Sequence, residues 1–146
     1  MINPQLEKLF ARYESAFQSL DFKQMADLFS DSFQSTGPHG IIANGKTDFL
    51  KQAEKAAEFY KSIGQTSVKI MHEKETLICE NYSMVTIHWG ATFKKTGDKL
   101  VEFDVSYIIH LCGNSPQIIL FISHMDEQES MKRLGVIESE DKTVKS

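Results

Sequence analysis

His124, Tyr13 and Tyr107 are the side chains in this sequence best suited to moving a proton beside a carbonyl group. An imidazole titrates near neutral pH and serves as a general acid or base, and a tyrosine hydroxyl donates to a developing oxyanion. His124 ends the run IILFISH on its apolar parity, which directs it toward a cavity. Tyr13 lies on the apolar face of the first helical segment, where a tyrosine is foremost a packed residue, and it lines a pocket there whether or not its hydroxyl donates to a ligand. Trp89, Tyr107, Phe33 and Phe103 supply an aromatic wall, for a core or for a flat apolar ligand.

A second polar set carries no comparable chemistry. His88 and His110 share a strand parity with Asp104, Thr86 and Thr92. A metal site needs three converging ligands. These two histidines are diagonal neighbours at best and bring no third ligand, so neither a metal nor a cofactor is expected. His39 and His72 show no partner in the sequence. Asp126 reads as a helix cap.

The elements that must position these groups follow from hydrophobic period. Leu6, Leu9, Phe10, Tyr13, Phe17 and Leu20 recur every three or four residues, one face of a helix over about 4–20 with Pro4 in its first turn. Asp21 caps a second short helix with Met25, Leu28 and Phe29 on its apolar side. STGPHG is a turn and IIANGK a loop, followed by a third helix over 48–63 that Gly64 ends. The period then changes to two. Strands are predicted over 66–73, 82–94, 101–111 and 117–125, with 76–80 either continuing the first of these or turning. Val85, Ile87, Trp89, Ala91 and Phe93 share one face, as do Val101, Phe103, Val105, Tyr107, Ile109 and Leu111. A three-residue loop at 97–99 would set Trp89 opposite Tyr107, Phe93 opposite Phe103, Thr86 opposite His110 and Thr92 opposite Asp104. Asp126 with Glu129 opens a last short helix that Gly135 closes. Residues 138–146 read as a frayed tail, leaving one domain over 1–137.

Length and composition bound the rest. A chain of 146 residues suits one domain and buries roughly 70% of its unfolded surface. Net charge is −4 with no basic run, which argues against a nucleic-acid partner. No apolar stretch reaches the roughly 20 residues needed to span a bilayer. Cys79 and Cys112 form no CxxC and MINPQLEKLF has no signal-peptide pattern, so a reduced cytoplasmic chain is expected. Ten Phe, four Tyr and one Trp supply large apolar walls.

Helices followed by a strand meander make an α+β domain. RYESAFQSLDFKQMADLFSDSFQSTGPHG resembles the opening of the nuclear transport factor 2-like superfamily, which includes ketosteroid isomerases, SnoaL-like polyketide-cyclase-like proteins and limonene epoxide hydrolase. The residues that carry the resemblance are Tyr13, Ala16 or Phe17, Asp21, Leu28–Phe29, Asp31 and Pro38-His39-Gly40. GKTDFL and ISHMDEQESMKRLG extend it over about residues 5–136. The resemblance implies a cone, with N-terminal helices packed on a curved antiparallel sheet and a short C-terminal helix. It also implies that the outer face of the sheet pairs subunits as a homodimer.

The same resemblance argues against the isomerase reaction. Those relatives use an Asp base with an oxyanion hole of a Tyr and a protonated Asp. The Tyr matches Tyr13. The base position is Gly37, which has no side chain. The second Asp falls at Tyr107 when apolar faces are matched, or at Ser106 without a gap, while Asp104 faces the other way. The hydrolase-like Asp–Arg–Asp set finds only Arg12 and Arg133, both on expected helix surfaces. The reading is a small-molecule-binding domain whose apolar or aromatic ligand touches Tyr13, Phe17, Phe33, Trp89, Phe103, Tyr107 and His124. The alternatives are a SnoaL-like cyclase, isomerase or hydrolase acting on a small carbonyl compound through His124 with Tyr13 or Tyr107, and a homodimeric interaction module.

Overall fold

The computed structural model describes residues 3–94, 97, 99–111 and 115–125. Helix α1 (Pro4–Gln18) begins where the Asn3 side chain accepts from the Gln5 backbone N–H at 2.7 Å. It buries Leu6, Leu9, Phe10 and Tyr13, the stripe its spacing predicts. Each such side chain contributes roughly 1.5–3 kcal/mol when fully removed from water. Polar contacts on the flank of α1 fix its position along the sheet. Gln18 Nε2 donates to the Val68 carbonyl at 2.8 Å, and Glu14 Oε2 accepts from the Ile70 backbone N–H at 2.7 Å. Asp21 caps the short helix α2 (Phe22–Ala26).

The chain then departs from the sequence reading. Leu28 and Phe29 do not extend α2: strand β1 (Phe29–Gly37) begins there, and IIANGK contains strand β2 (Gly40–Asn44). Phe29 and Phe33 sit four residues apart and are buried on one side of β1, as positions i and i+4 of a strand share a face. The pairing of β1 with β6 is uneven over this stretch. Between its pairings Phe29↔Ile118 and Gln34↔Leu120, β1 runs five residues against two on its neighbour. STGPHG is the joint between β1 and β2. Gly37 pairs with Gly40, leaving Pro38 and His39 as the two turn residues, and Gly40 takes φ 112°.

Helix α3 (Lys46–Ser62) starts two residues earlier than expected, where the Asp48 carboxylate accepts from the Asn44 backbone N–H at 2.9 Å. Gly64, at φ 74°, ends it as anticipated. Strand β3 (Gln65–Cys79) is continuous through residues 76–79, and β4 (Tyr82–Phe93), β5 (Val101–His110) and β6 (Gln117–Ser123) follow. The sheet is open, in the order β2-β1-β6-β5-β4-β3, and antiparallel except where β1 runs parallel to β6.

The β4–β5 register differs from expectation. Trp89 pairs with Phe103 and Val85 with Tyr107; on the other face His88 pairs with Asp104, Thr86 with Ser106 and Tyr82 with His110. The strands stop at Phe93 and resume at Val101, so the connection is longer than three residues. The slip is an even number of residues, which preserves the faces. Val85, Ile87, Trp89, Ala91, Phe93, Phe103, Val105, Tyr107 and Ile109 are all buried.

The expected C-terminal helix, the tail and Cys112 lie outside the described residues. Among the described residues no helix is long and apolar enough to cross a membrane.

Candidate functional site

A cavity of about 470 Å³ opens between the inner face of the sheet and the three helices. Such a volume falls in the range of small-molecule sites. Its aromatic wall centres on Tyr13, whose ring lies 5.6 Å from Trp89 and 5.2 Å, edge-on, from Tyr107. Phe17 meets Trp89 edge-on at 5.2 Å. Trp89 Nε1 donates to the Tyr107 hydroxyl at 3.1 Å, so that hydroxyl directs its own hydrogen elsewhere. Phe103 completes this wall beside Trp89.

Five of the seven expected residues therefore line the cavity: Tyr13, Phe17, Trp89, Phe103 and Tyr107. Phe33 does not. It stacks on Phe29 at 4.1 Å and 7°, with the Phe49 ring edge-on to both, and belongs to the packed core.

His124 is on the wrong side of the sheet for the role expected of it. In β6, Ile109 faces Ile118 while Ile108 faces Leu120, so Ile119 is an extra residue that inverts the parity beyond it. Phe121 and Ser123 turn inward to line the cavity, and His124 turns out. Its ring Nε2 meets Ser106 Oγ at 2.7 Å on the outer face, and its backbone N–H donates to the Asp104 carbonyl at 3.0 Å.

The family model described as NTF2-like protein (DUF6841) matches residues 4–126. The chain belongs to this NTF2-like family. No curated protein matches the sequence. Solved structures carry the same fold. One is an NTF2-like protein of unknown function from Shewanella oneidensis, 13% identical, covering 82% of this chain and 96% of that one at TM-score 0.68. Another is a cystatin-like protein of unknown function from Nostoc punctiforme, 14% identical, covering 84% and 89% at TM-score 0.67. A third, from Novosphingobium aromaticivorans and provisionally described as a scytalone dehydratase, is 14% identical and covers 82% and 80% at TM-score 0.66. At these identities the likeness is one of fold.

The chemistry of this NTF2-like cavity is set by what lines it. Among the described residues no Asp, Glu, Lys or Arg does so. Polar groups come from Ser35, His39, Gln52 and Ser123, beside the tyrosines. His39 is the one imidazole at the cavity, and sequence reasoning missed it. The usable signal was its place in the turn after Gly37, since a two-residue hairpin turn holds its side chains at a fixed place. Gly37 also lines the cavity. A Cβ there would meet Ile42 Cδ1, the far end of a flexible side chain, at 3.1 Å.

The outer face holds a separate polar cluster. His88 Nδ1 lies 2.7 Å from Asp104 Oδ1 and Nε2 lies 2.7 Å from Glu102 Oε1. The Glu102 hydrogen bond, and then that of Asp104, raise the His88 pKa above the ordinary histidine value. The His72 ring stacks on it at 5.0 Å. Among the described residues no set of three metal-ligating side chains converges.

Proposed function

We propose that the cavity binds a small, flat, apolar molecule without formal charge. The observation that carries this reading is an aromatic-walled space of about 470 Å³ with no charged side chain among its described lining. A charged ligand would lose its hydration there with nothing to replace it. Trp89 is the sole tryptophan and lines the cavity, so its emission, corrected for the ligand's own absorption and emission, reports on occupancy. Naphthalene titrated into the protein should quench it saturably. Ala56→Phe should fill part of the space and weaken binding at least about tenfold at little cost in thermal stability, since Ala56 is only half-buried. Absence of saturable binding, or binding indifferent to Ala56→Phe, would overturn the reading. A cyclase, isomerase or hydrolase with His124 as its base has no support, because that ring is across the sheet from Tyr13 and Tyr107.

A second reading concerns the outer face, for which we propose pairing with a second copy of the chain. Met84, Ile108 and Leu120 form a half-buried apolar row across β4, β5 and β6, and Ile122 beside them is 36% exposed. Light scattering should give a dimer mass, reduced by Ile122→Lys; a monomer at tens of micromolar would remove this reading.

A further inference from the structure

The polar groups of the cavity are not scattered. Ser35 pairs with Phe121 and Thr36 with Ile122, which places Ser123 diagonal to Ser35 on the neighbouring strand. Both serines line the cavity. Helix α3 lies over this end of the sheet because Phe49 packs edge-on against Phe29 and Phe33 of β1. Gln52 follows Phe49 by three residues, on the same helix face, and lines the cavity as well. His39 stands in the two-residue turn that continues β1. Four polar side chains of the lining therefore come from β1, the turn after it, β6 and α3. From α1, β4 and β5 the lining takes the aromatic rings of Tyr13, Phe17, Trp89 and Phe103.

We propose that this polar edge, with His39 and Gln52 at its solvent side, recognises an oxygen on one rim of the ligand. The proposal rests on the binding reading above and narrows it to a ligand class: a flat, uncharged bicyclic or larger ring system with a hydroxyl or carbonyl on one edge. The apolar rings lie against Trp89 and Phe17, and the oxygen points toward the β1–β2 turn. Imidazole, amide and hydroxyl groups each donate or accept, so the edge accommodates either kind of oxygen. An apolar pocket alone would disfavour a hydroxyl, because desolvating it without a partner is costly.

The test compares naphthalene with 2-naphthol, which share a ring system and differ by one hydroxyl. The wild-type protein should bind 2-naphthol about fivefold more tightly, the effect of roughly one net hydrogen bond. His39 and Gln52 are both exposed, so the double variant His39→Leu/Gln52→Leu should fold normally. It should reverse the preference, read as the ratio of the two affinities. Equal or tighter naphthalene binding by wild type, or a preference for 2-naphthol that survives the double variant, overturns the polar edge and leaves the cavity reading standing. If neither compound binds, the cavity reading falls and the polar edge falls with it.

Discussion

Trp89 donates its indole N–H to the Tyr107 hydroxyl across 3.1 Å, although the residue facing Trp89 on β5 is Phe103 and the one facing Tyr107 on β4 is Val85. The bond therefore runs diagonally over the inner face of the sheet, tying the two largest fully buried side chains together beneath α1. Both rings also contact Tyr13, so one hydrogen bond fixes the aromatic wall.

Removing that hydroxyl should cost more than one ordinary hydrogen bond. Tyr107→Phe keeps the ring and leaves the Trp89 N–H buried without this acceptor. The expected loss is about 1–3 kcal/mol in urea unfolding. A change below about 0.5 kcal/mol would mean that the indole finds another acceptor.

Strand faces were legible in the sequence wherever pairing is regular. β4 and β5 alternate without a break, so their buried set was readable even though the register was not: an even slip keeps every side chain on its face. The site was less legible because two local features carry it. The extra residue Ile119 inverts β6 and takes His124 to the outer face. The turn at Pro38–His39 brings an imidazole with no sequence partner to the cavity. Bulges depend on partner strands far away in the chain, so a one-dimensional period does not contain them.

Glu73 faces α1 and is held partly away from water, which raises its pKa; Glu7 and Glu14 nearby push it further the same way. Folding thus favours the protonated acid. That contribution is fully present below the ordinary glutamate value of about 4.3 and is lost as pH rises through the higher folded value. Glu73→Gln should therefore raise the melting temperature at pH 7 and bring no gain near pH 4. A loss of stability at pH 7 would show that the carboxylate is instead favourably paired.

His88 has the opposite chemistry and the same sign of linkage. Its raised pKa means that folding favours the imidazolium between Glu102 and Asp104. The stabilisation is complete below about pH 6.5 and fades as pH climbs past the elevated folded value. The cluster is partly solvated, so its worth should stay under about 1 kcal/mol. In NMR titrations the His88 midpoint should lie above that of a free imidazole and drop in both Glu102→Gln and Asp104→Asn. A midpoint at or below the ordinary value would contradict the raised pKa.

Gly37 and Gly40 bracket the same turn, yet only one of them needs to be glycine for its backbone. Gly40 has φ 112°, a region that strains L residues, so Gly40→Ala should cost about 1–2 kcal/mol. Gly37 is not among the residues with positive φ, and its crowding comes from the far end of the Ile42 side chain, which is 51% exposed and free to give way. Gly37→Ala should therefore stay within about 1 kcal/mol of wild type, with the stiffer unfolded chain offsetting the contact. Gly37→Asp should fold as well and place a carboxylate at the cavity. Urea unfolding of the three variants separates the cases. If Gly37→Ala proves as damaging as Gly40→Ala, the glycine is held there by backbone geometry. If it is tolerated, position 37 accepts side chains, and the bare wall is a property of the cavity's chemistry.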